Sequence, residues 1–184
     1  GCCKPMVYRN PHFGIVSTGD ELVHPEILPS PGHIRNSNAF QLMAQIQRAG
    51  CTPHFFGIAS DSEQSIRQSI ENAALESDII LVSGGISAGE FDLVPHVLAE
   101  AGFEILFRDI AIQPGKPVIF ARRNDKFLVA LPGNPVASYV LFEVMVKPLI
   151  NRFSGRQNAS LRLRLPLAVD YSRKKNKRKA FFPV

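Results

Sequence analysis

The sequence predicts an α/β fold built on a mostly parallel sheet, followed by the opening of a second, β-rich segment that breaks off. Three observations carry this expectation. Short apolar strand runs alternate with helical patterns between residues 12 and 155, which argues for crossover connections. The strand at 78–82 is continuous in Ile, Leu and Val from Ile79 onward, as a strand buried on both faces has to be. Glycine- and acid-bearing loops follow the strands, where ligands bind in open α/β sheets.

Residues 1–11 read as a polar, extended linker punctuated by Lys4-Pro5 and Asn10-Pro11, and residues 12–155 as the α/β domain. The first strand, 13–17, ends in Thr18-Gly19-Asp20-Glu21, and a turn-rich loop with Pro25, Pro29, Pro31 and Gly32 follows. Asn36, Ser37 or Asn38 can cap a helix over 39–49, where Phe40, Met43, Ala44 and Ile46 share a face and Gly50 is the stop. A strand at 55–59 leads into Asp61-Ser62-Glu63-Gln64, whose capping-box spacing opens a helix through Leu75 with Ile66, Ile70, Ala73 and Ala74 inward. After the strand at 78–82, a glycine-rich connection at 83–91 enters a helix over 92–101, closed by Gly102. Strands at 118–121 and 127–131 flank the polar turn Arg122-Arg123-Asn124-Asp125 as a hairpin. Pro132-Gly133-Asn134-Pro135 then opens a helix through Phe153, ended by Ser154-Gly155. In residues 156–184, Leu161, Leu163, Leu165 and Leu167 alternate with Arg162, Arg164 and Pro166, the pattern of a half-exposed strand. Phe181-Phe182 is its one obvious partner, so this stretch reads as the truncated start of a C-terminal β-barrel-like domain.

Composition narrows the functional classes. With 184 residues, 45% hydrophobic and 20% charged, the chain is too apolar for disorder and has enough length for a core. Its uncharged apolar runs fall far short of the ~20 residues that span a bilayer, so no membrane role is expected. The net charge of +5 divides unevenly: residues 151–184 hold ten Lys/Arg against Asp170 alone, leaving residues 1–150 acidic. The basic run reads as a solvated loop, because no aromatic interleaving or nucleic-acid module accompanies it, and no nucleic-acid partner is expected. Cys2, Cys3 and Cys51 form neither a disulfide framework nor a Cys-x-x-Cys pair, and no signal peptide is visible, which points to a cytoplasmic protein. The five histidines are scattered without metal-ligand spacing, which argues against zinc.

The strand-end loops carry the chemistry. Gly84, Gly85 and Gly89 let backbone N–H groups approach an anion beside a helix N-terminus, and Gly133-Asn134 opens a helix in the same way. Glu21, Asp61 and Asp92 repel an anion directly, but suit a hydrated Mg²⁺ bridging protein to phosphate oxygens. Lys116, in Gln113-Pro114-Gly115-Lys116-Pro117, supplies a point charge for an oxyanion. Taken singly, each motif has a plainer reading: Asp61 and Asp92 as helix caps, the Pro-Gly pairs as turns. Gly85-Ile86-Ser87-Ala88-Gly89 also matches a nucleophile elbow. Against a serine hydrolase, the only later histidine is His96, on the helix that follows, so Ser…Asp…His on separate loops cannot be built.

Together the motifs resemble the molybdopterin molybdenumtransferase family, the MoeA and gephyrin E-domain proteins, from about Tyr8 to Gly155. The resemblance rests on Ser17-Thr18-Gly19-Asp20-Glu21-Leu22, Ile34-Arg35-Asn36-Ser37-Asn38, Ser83-Gly84-Gly85-Ile86-Ser87-Ala88-Gly89, Gln113-Pro114-Gly115-Lys116-Pro117 and Leu131-Pro132-Gly133-Asn134-Pro135-Val136, in family order. It implies a three-layer α/β/α molybdopterin-binding fold and a reaction in which adenylylated molybdopterin binds with Mg²⁺, molybdate enters at the dithiolene and AMP leaves. Glu21, Asp61 and Asp92 fall on the family's acidic active-site positions and would hold Mg²⁺ and the pyrophosphate. Thr18, Gly19, Asp20, Ser83, Gly84, Gly85, Ser87, Gly89, Pro132, Gly133 and Asn134 would cradle pterin and phosphate. Lys116 and Ser138 would lie near molybdate, and Pro114 and Gly115 would belong to the cofactor-binding set. The family further implies a homodimer in the full-length protein and a molybdopterin adenylyltransferase as the upstream partner. Two alternatives stay open: a MogA-like adenylyltransferase, which shares the fold but is disfavoured by the Thr-Gly-Asp-Glu and Pro-Gly-Lys-Pro motifs, and a non-catalytic molybdopterin-binding or scaffold module.

Overall fold

The computed structural model describes residues 1–86, 93–156, 163–166, 168–170, 172 and 177–181. Its centre is a six-stranded sheet of order β4-β1-β5-β9-β8-β6. The members are β1 (His12–Thr18), β4 (Thr52–Ala59), β5 (Ile79–Ser83), β6 (Glu104–Arg108), β8 (Ile119–Arg123) and β9 (Lys126–Leu131). β4, β1, β5 and β9 run parallel, and β8 is antiparallel to both β9 and β6. The remaining strands are short: β2 (Leu22–Val23) pairs with β3 (Ile34–Arg35), and β7 (Ile112–Gln113) with β10 (Lys179–Ala180).

Helices cover both faces, and the two-residue period of the strands decides which side chain meets which helix. Phe13 and Ile15 of β1, Ile79 and Leu81 of β5 and Val129 and Leu131 of β9 pack on α1 (Ser37–Arg48) and the long C-terminal helix. Val16, Ile80, Val82, Leu128 and Ala130 face the other way, toward α2 (Glu63–Glu76) and α3 (Leu93–Glu100). The C-terminal helix consists of α4 (Pro135–Leu141) and α5 (Lys147–Phe153) joined by a π-helical turn at Phe142–Val146. Pro148 accounts for the wide turn, since it has no N–H for the carbonyl four residues back. Among the described residues no helix is long and apolar enough to cross a membrane.

Several expectations shift. Asn36 is the cap of α1, accepting from the Ala39 N–H. Ser62, not Asp61, caps α2, its hydroxyl taking the Ser65 N–H at 3.3 Å. β4 begins at Thr52 and runs through Pro53, which an edge strand tolerates. β6 is an edge strand that the apolar pattern does not announce. The 118–131 hairpin is present, with Asn124 taking the positive φ of 56° at its turn. In the C-terminal segment, residues 163–166 carry no strand, and Leu163 and Leu165 are exposed. Leu161 and Leu167 lie outside the described residues. Instead Lys179 and Ala180 return to the body and pair with β7, through Lys179 N–H to Ala111 O and Phe181 N–H to Gln113 O, both 2.8 Å.

At the end of the sheet opposite the strand-end loops, Asp78 fixes the lead-in segment. Arg9 donates two hydrogen bonds of 2.6 Å to its carboxylate, and the His12 N–H a third of 2.8 Å. The Arg9 hydrogen bonds hold the Asp78 carboxyl below the usual carboxylate range, against the upward push of burial. A carboxyl depressed by folding stabilises above its unfolded value, about pH 4, and that stability is lost as pH falls through the folded value. Asp78→Asn should therefore lower the unfolding midpoint at pH 7, with the gap to the wild type closing in acid; thermal melts between pH 7 and pH 2.5 check this, and a gap that widens contradicts it. For the core, Leu81→Ala removes a fully buried side chain in a central strand, and chemical denaturation should show a loss of about 3 to 5 kcal/mol.

Candidate functional site

β1 and β5 are neighbours in the sheet, yet their chains leave for opposite faces, β1 to α1 and β5 to α3. Loops that part in this way leave a crevice beyond the carboxyl ends of the strands. Here it is a cleft of about 870 Å³ whose lining includes Thr18, Gly19, Glu21, Arg35, Asn36, Asn38, Asp61, Ser83, Gly84, Gly85, Pro132, Gly133 and Asn134.

The floor is made of strand ends tied to one another. Ser17 and Ser83 are register partners on β1 and β5. Asn36 Nδ2 donates to Ser17 Oγ and Asn38 Nδ2 to Ser83 Oγ, each at 2.9 Å, so alternate residues of one short segment hold α1 against both strands. Gly84 N–H donates to the Leu131 carbonyl at 3.0 Å, which joins the loops after β5 and β9. Gly84 sits at φ 100°, where a Cβ would stand 2.5 Å from the Thr18 carbonyl oxygen. Gly85, at φ 65°, would press a Cβ onto Val94 and the Thr18 hydroxyl. Glycine is thus required for the close approach of the two loops as well as for their conformation. Thr18 Oγ1 and Asn38 Oδ1 are buried here without a hydrogen-bond partner.

One rim is acidic. Asp20 and Asp61 clasp reciprocally: the Asp20 N–H donates to Asp61 Oδ2 at 3.3 Å, and the Asp61 N–H to Asp20 Oδ1 at 3.1 Å. Each carboxylate commits one oxygen to the clasp, and both residues are exposed. Because Ser62 caps α2, Asp61 is released from that task, and with Glu21 it lines the cleft. Exposed oxygen donors of this kind, next to backbone N–H groups, suit a hard, hydrated cation held against an anionic ligand.

The structure brings together Thr18, Gly19, Glu21, Asp61, Ser83, Gly84, Gly85, Pro132, Gly133 and Asn134, with Asp20 at the rim through its clasp. Ser87, Gly89 and Asp92 lie outside the described residues. Four expected residues stand away from the lining. Lys116 reaches Asp109 Oδ2 at 3.6 Å, Pro114 follows a cis bond, and Gly115 packs under Leu141. Of that loop Pro117 alone reaches the cleft. Ser138 is wholly buried one turn into α4, its hydroxyl unpartnered. Conversely, Arg35 and Asn38 line the cleft although their segment was read only as a helix cap and a resemblance motif, with no site role for either residue. Arg35 is the one cationic side chain of the lining among the described residues, its Nε–H donating to the Pro25 carbonyl at 3.0 Å. The signal was available: Arg35 to Asn38 places a cation and two amides where the chain re-enters the sheet edge.

Comparison with known proteins is specific. The family model described as a probable molybdopterin binding domain matches residues 14–152. A molybdopterin molybdenumtransferase of Bacillus subtilis is 40% identical over 150 residues, covering 82% of this chain and 35% of the relative. The molybdenum cofactor synthesis protein cinnamon of Drosophila melanogaster is 36% identical over 150 residues, again 82% of this chain but 25% of the relative. The molybdopterin biosynthesis MoeA protein of Pyrococcus horikoshii superposes with a TM-score of 0.73 at 36% identity, over 80% of this chain and 36% of that one. A CinA protein of Thermoplasma acidophilum, at 16% identity and a TM-score of 0.62, shares the fold. The chain therefore spans about a third of the length of the molybdenumtransferases it matches.

The glycines separate two kinds of requirement. Gly84→Ala should cost about 1 to 3 kcal/mol, from a disfavoured φ and a collision with backbone. Gly133→Ala, where an added Cβ meets nothing within 4 Å, should change stability by less than about 0.5 kcal/mol. Denaturant titration of the two variants decides this, and equal losses would contradict the packing described.

Proposed function

The chain belongs to the family of probable molybdopterin binding domains, and from that premise we propose that its cleft binds adenylylated molybdopterin as part of a molybdopterin molybdenumtransferase. In that reaction molybdate enters at the dithiolene while the phosphoanhydride is cleaved and AMP leaves. The observation that supports it most is the meeting, in one cleft, of a backbone-lined glycine loop with an acidic rim. The glycine loop would offer the Gly85 N–H to phosphate oxygens, the Gly84 N–H being held by the Leu131 carbonyl, and Arg35 would supply positive charge from β3.

Glu21 and Asp61, with Asp20 beside them, are the residues that would hold Mg²⁺, and Asp92 joins them by the resemblance. Their donors are exposed carboxylate oxygens, which match a cation that retains part of its water shell. Bound there, Mg²⁺ would neutralise pyrophosphate charge as the anhydride breaks. The chain's own contribution is to hold the phosphates against the Gly84-Gly85 backbone and to position carboxylates through the Asp20–Asp61 clasp. Residues 12–155 are proposed as the ligand-binding unit, with 1–11 as a linker and 156–184 as the start of a further one. The full-length protein would act as a homodimer in the cytoplasm and receive its ligand from a molybdopterin adenylyltransferase.

A second reading, a binding module without turnover, is favoured by one observation: Lys116 and Ser138, assigned to molybdate by resemblance, stand off the cleft. The two readings part in a single experiment. The chain is titrated with adenylylated molybdopterin, with and without Mg²⁺, and AMP release is then followed on adding molybdate. Binding that falls at least tenfold on Mg²⁺ chelation and in Asp61→Asn, with molybdate-dependent AMP release, supports the transferase. Binding without AMP release supports the module, and no binding overturns both.

A further inference from the structure

Asn38 is the side chain that joins three walls of the cleft. It stands in the first turn of α1, only 8% exposed, and its Nδ2 spends one N–H on Ser83 Oγ and the other on the Gly133 carbonyl, both at 2.9 Å. The first bond reaches the end of β5, immediately before Gly84-Gly85, and the second reaches the loop between β9 and α4. The carbonyl partner settles the amide orientation, since only an N–H can face Gly133 O. Oδ1 is consequently turned away from both loops and is buried without a donor. An unpaired buried acceptor costs about 1 to 3 kcal/mol. The capping of α1 already belongs to Asn36, so Asn38 is not needed as the cap.

We infer that Asn38 is a positioning residue: its amide holds the start of α1 against both the end of β5 and the loop after β9, and so sets the distance between the α1 wall of the cleft and its glycine loops. This rests on the cleft being a pterin-nucleotide site. The two loops carry Gly84, Gly85, Gly133 and Asn134, which line the cleft together with Arg35 and Asn36 from the entrance to α1. A ligand lying between the α1 wall and these loops binds well only where that distance is set beforehand. Asn36 performs no equivalent service, because its Nδ2 ends at Ser17 on β1 and touches neither loop.

Asn38→Asp tests this, being almost isosteric but without the two donors, and setting a carboxylate against the Gly133 carbonyl. Asp78→Asn, at the opposite end of the sheet, serves as a control that loses stability without touching the cleft. Calorimetric titration with adenylylated molybdopterin and Mg²⁺ is run well below each protein's unfolding midpoint. Asn38→Asp should bind at least tenfold more weakly, while Asp78→Asn stays within twofold of the wild type. An Asn38→Asp affinity within twofold of the wild type overturns the role of Asn38, as does an equal loss in Asp78→Asn. If Asn38→Asp does not fold, Asn38→Ala, which removes the amide without adding charge, is read by the same thresholds. A wild-type chain that binds no adenylylated molybdopterin overturns the functional reading itself.

Discussion

Two adjacent parallel strands that send their chains to opposite faces of a sheet cannot keep their following loops together. β1 and β5 are in this position, and the crevice between Thr18 and Ser83 follows from it. A gap at a sheet edge exposes backbone N–H and carbonyl groups, which have to be met by side chains, water or ligand. This chain meets part of that demand with two serines and two asparagines, Ser17 with Asn36 and Ser83 with Asn38. A further part is met by the Gly84 N–H bonded to the Leu131 carbonyl, and the lining at Gly85 and beside Thr18 faces the cleft. The cleft is therefore a consequence of the strand order, and the chemistry is what the loops place around it.

Much of this architecture was legible because burial leaves a mark on composition. β1, β5 and β9 are covered on both faces, so their residues are almost all apolar and stand out. β6 did not stand out for the converse reason: at the sheet edge Glu104 and Arg108 are exposed, and only Ile105 is drawn inward. Helix positions were readable from periodicity, but not which of two neighbouring polar residues caps. Asp61 and Ser62 both suit an N-cap, and the backbone at Ser62, φ −133° and ψ 142°, decides in favour of serine. The C-terminal alternation of Leu and Arg reads as a strand, yet the described stretch 163–166 has no partner strand to pair with. A period of two is a necessary sign of a strand, and hydrogen-bond partners supply the rest.

The candidate site was legible in its glycines and carboxylates and illegible in its amides. Gly84 and Gly85 announce a close backbone approach, and the Thr18 carbonyl beneath them provides it. Carboxylates at strand ends announce a cation. An asparagine near a helix start, by contrast, is so often a cap that its reach to a distant loop cannot be read from spacing. Asn38 meets Gly133 across a sequence separation of 95 residues, a contact that exists only once the sheet has formed. The same holds for the Asp20–Asp61 clasp, whose members come from two loops 41 residues apart. Both signs of charge meet in the cleft lining, Glu21 and Asp61 with Arg35, whose strand β3 pairs with the segment just after Glu21. That arrangement suits an anionic ligand that brings its own cation.

The most direct measurement is the amide chemical-shift map of the chain titrated with adenylylated molybdopterin and Mg²⁺. Ligand in the strand-end cleft places the largest shifts at residues 18–22, 35–38, 83–86 and 133–134, with little change along the outer surfaces of α2 and α3. A map with its largest shifts at the β7–β10 pair or on those outer helices, and none at Gly84 and Gly85, would contradict the cleft as the ligand site.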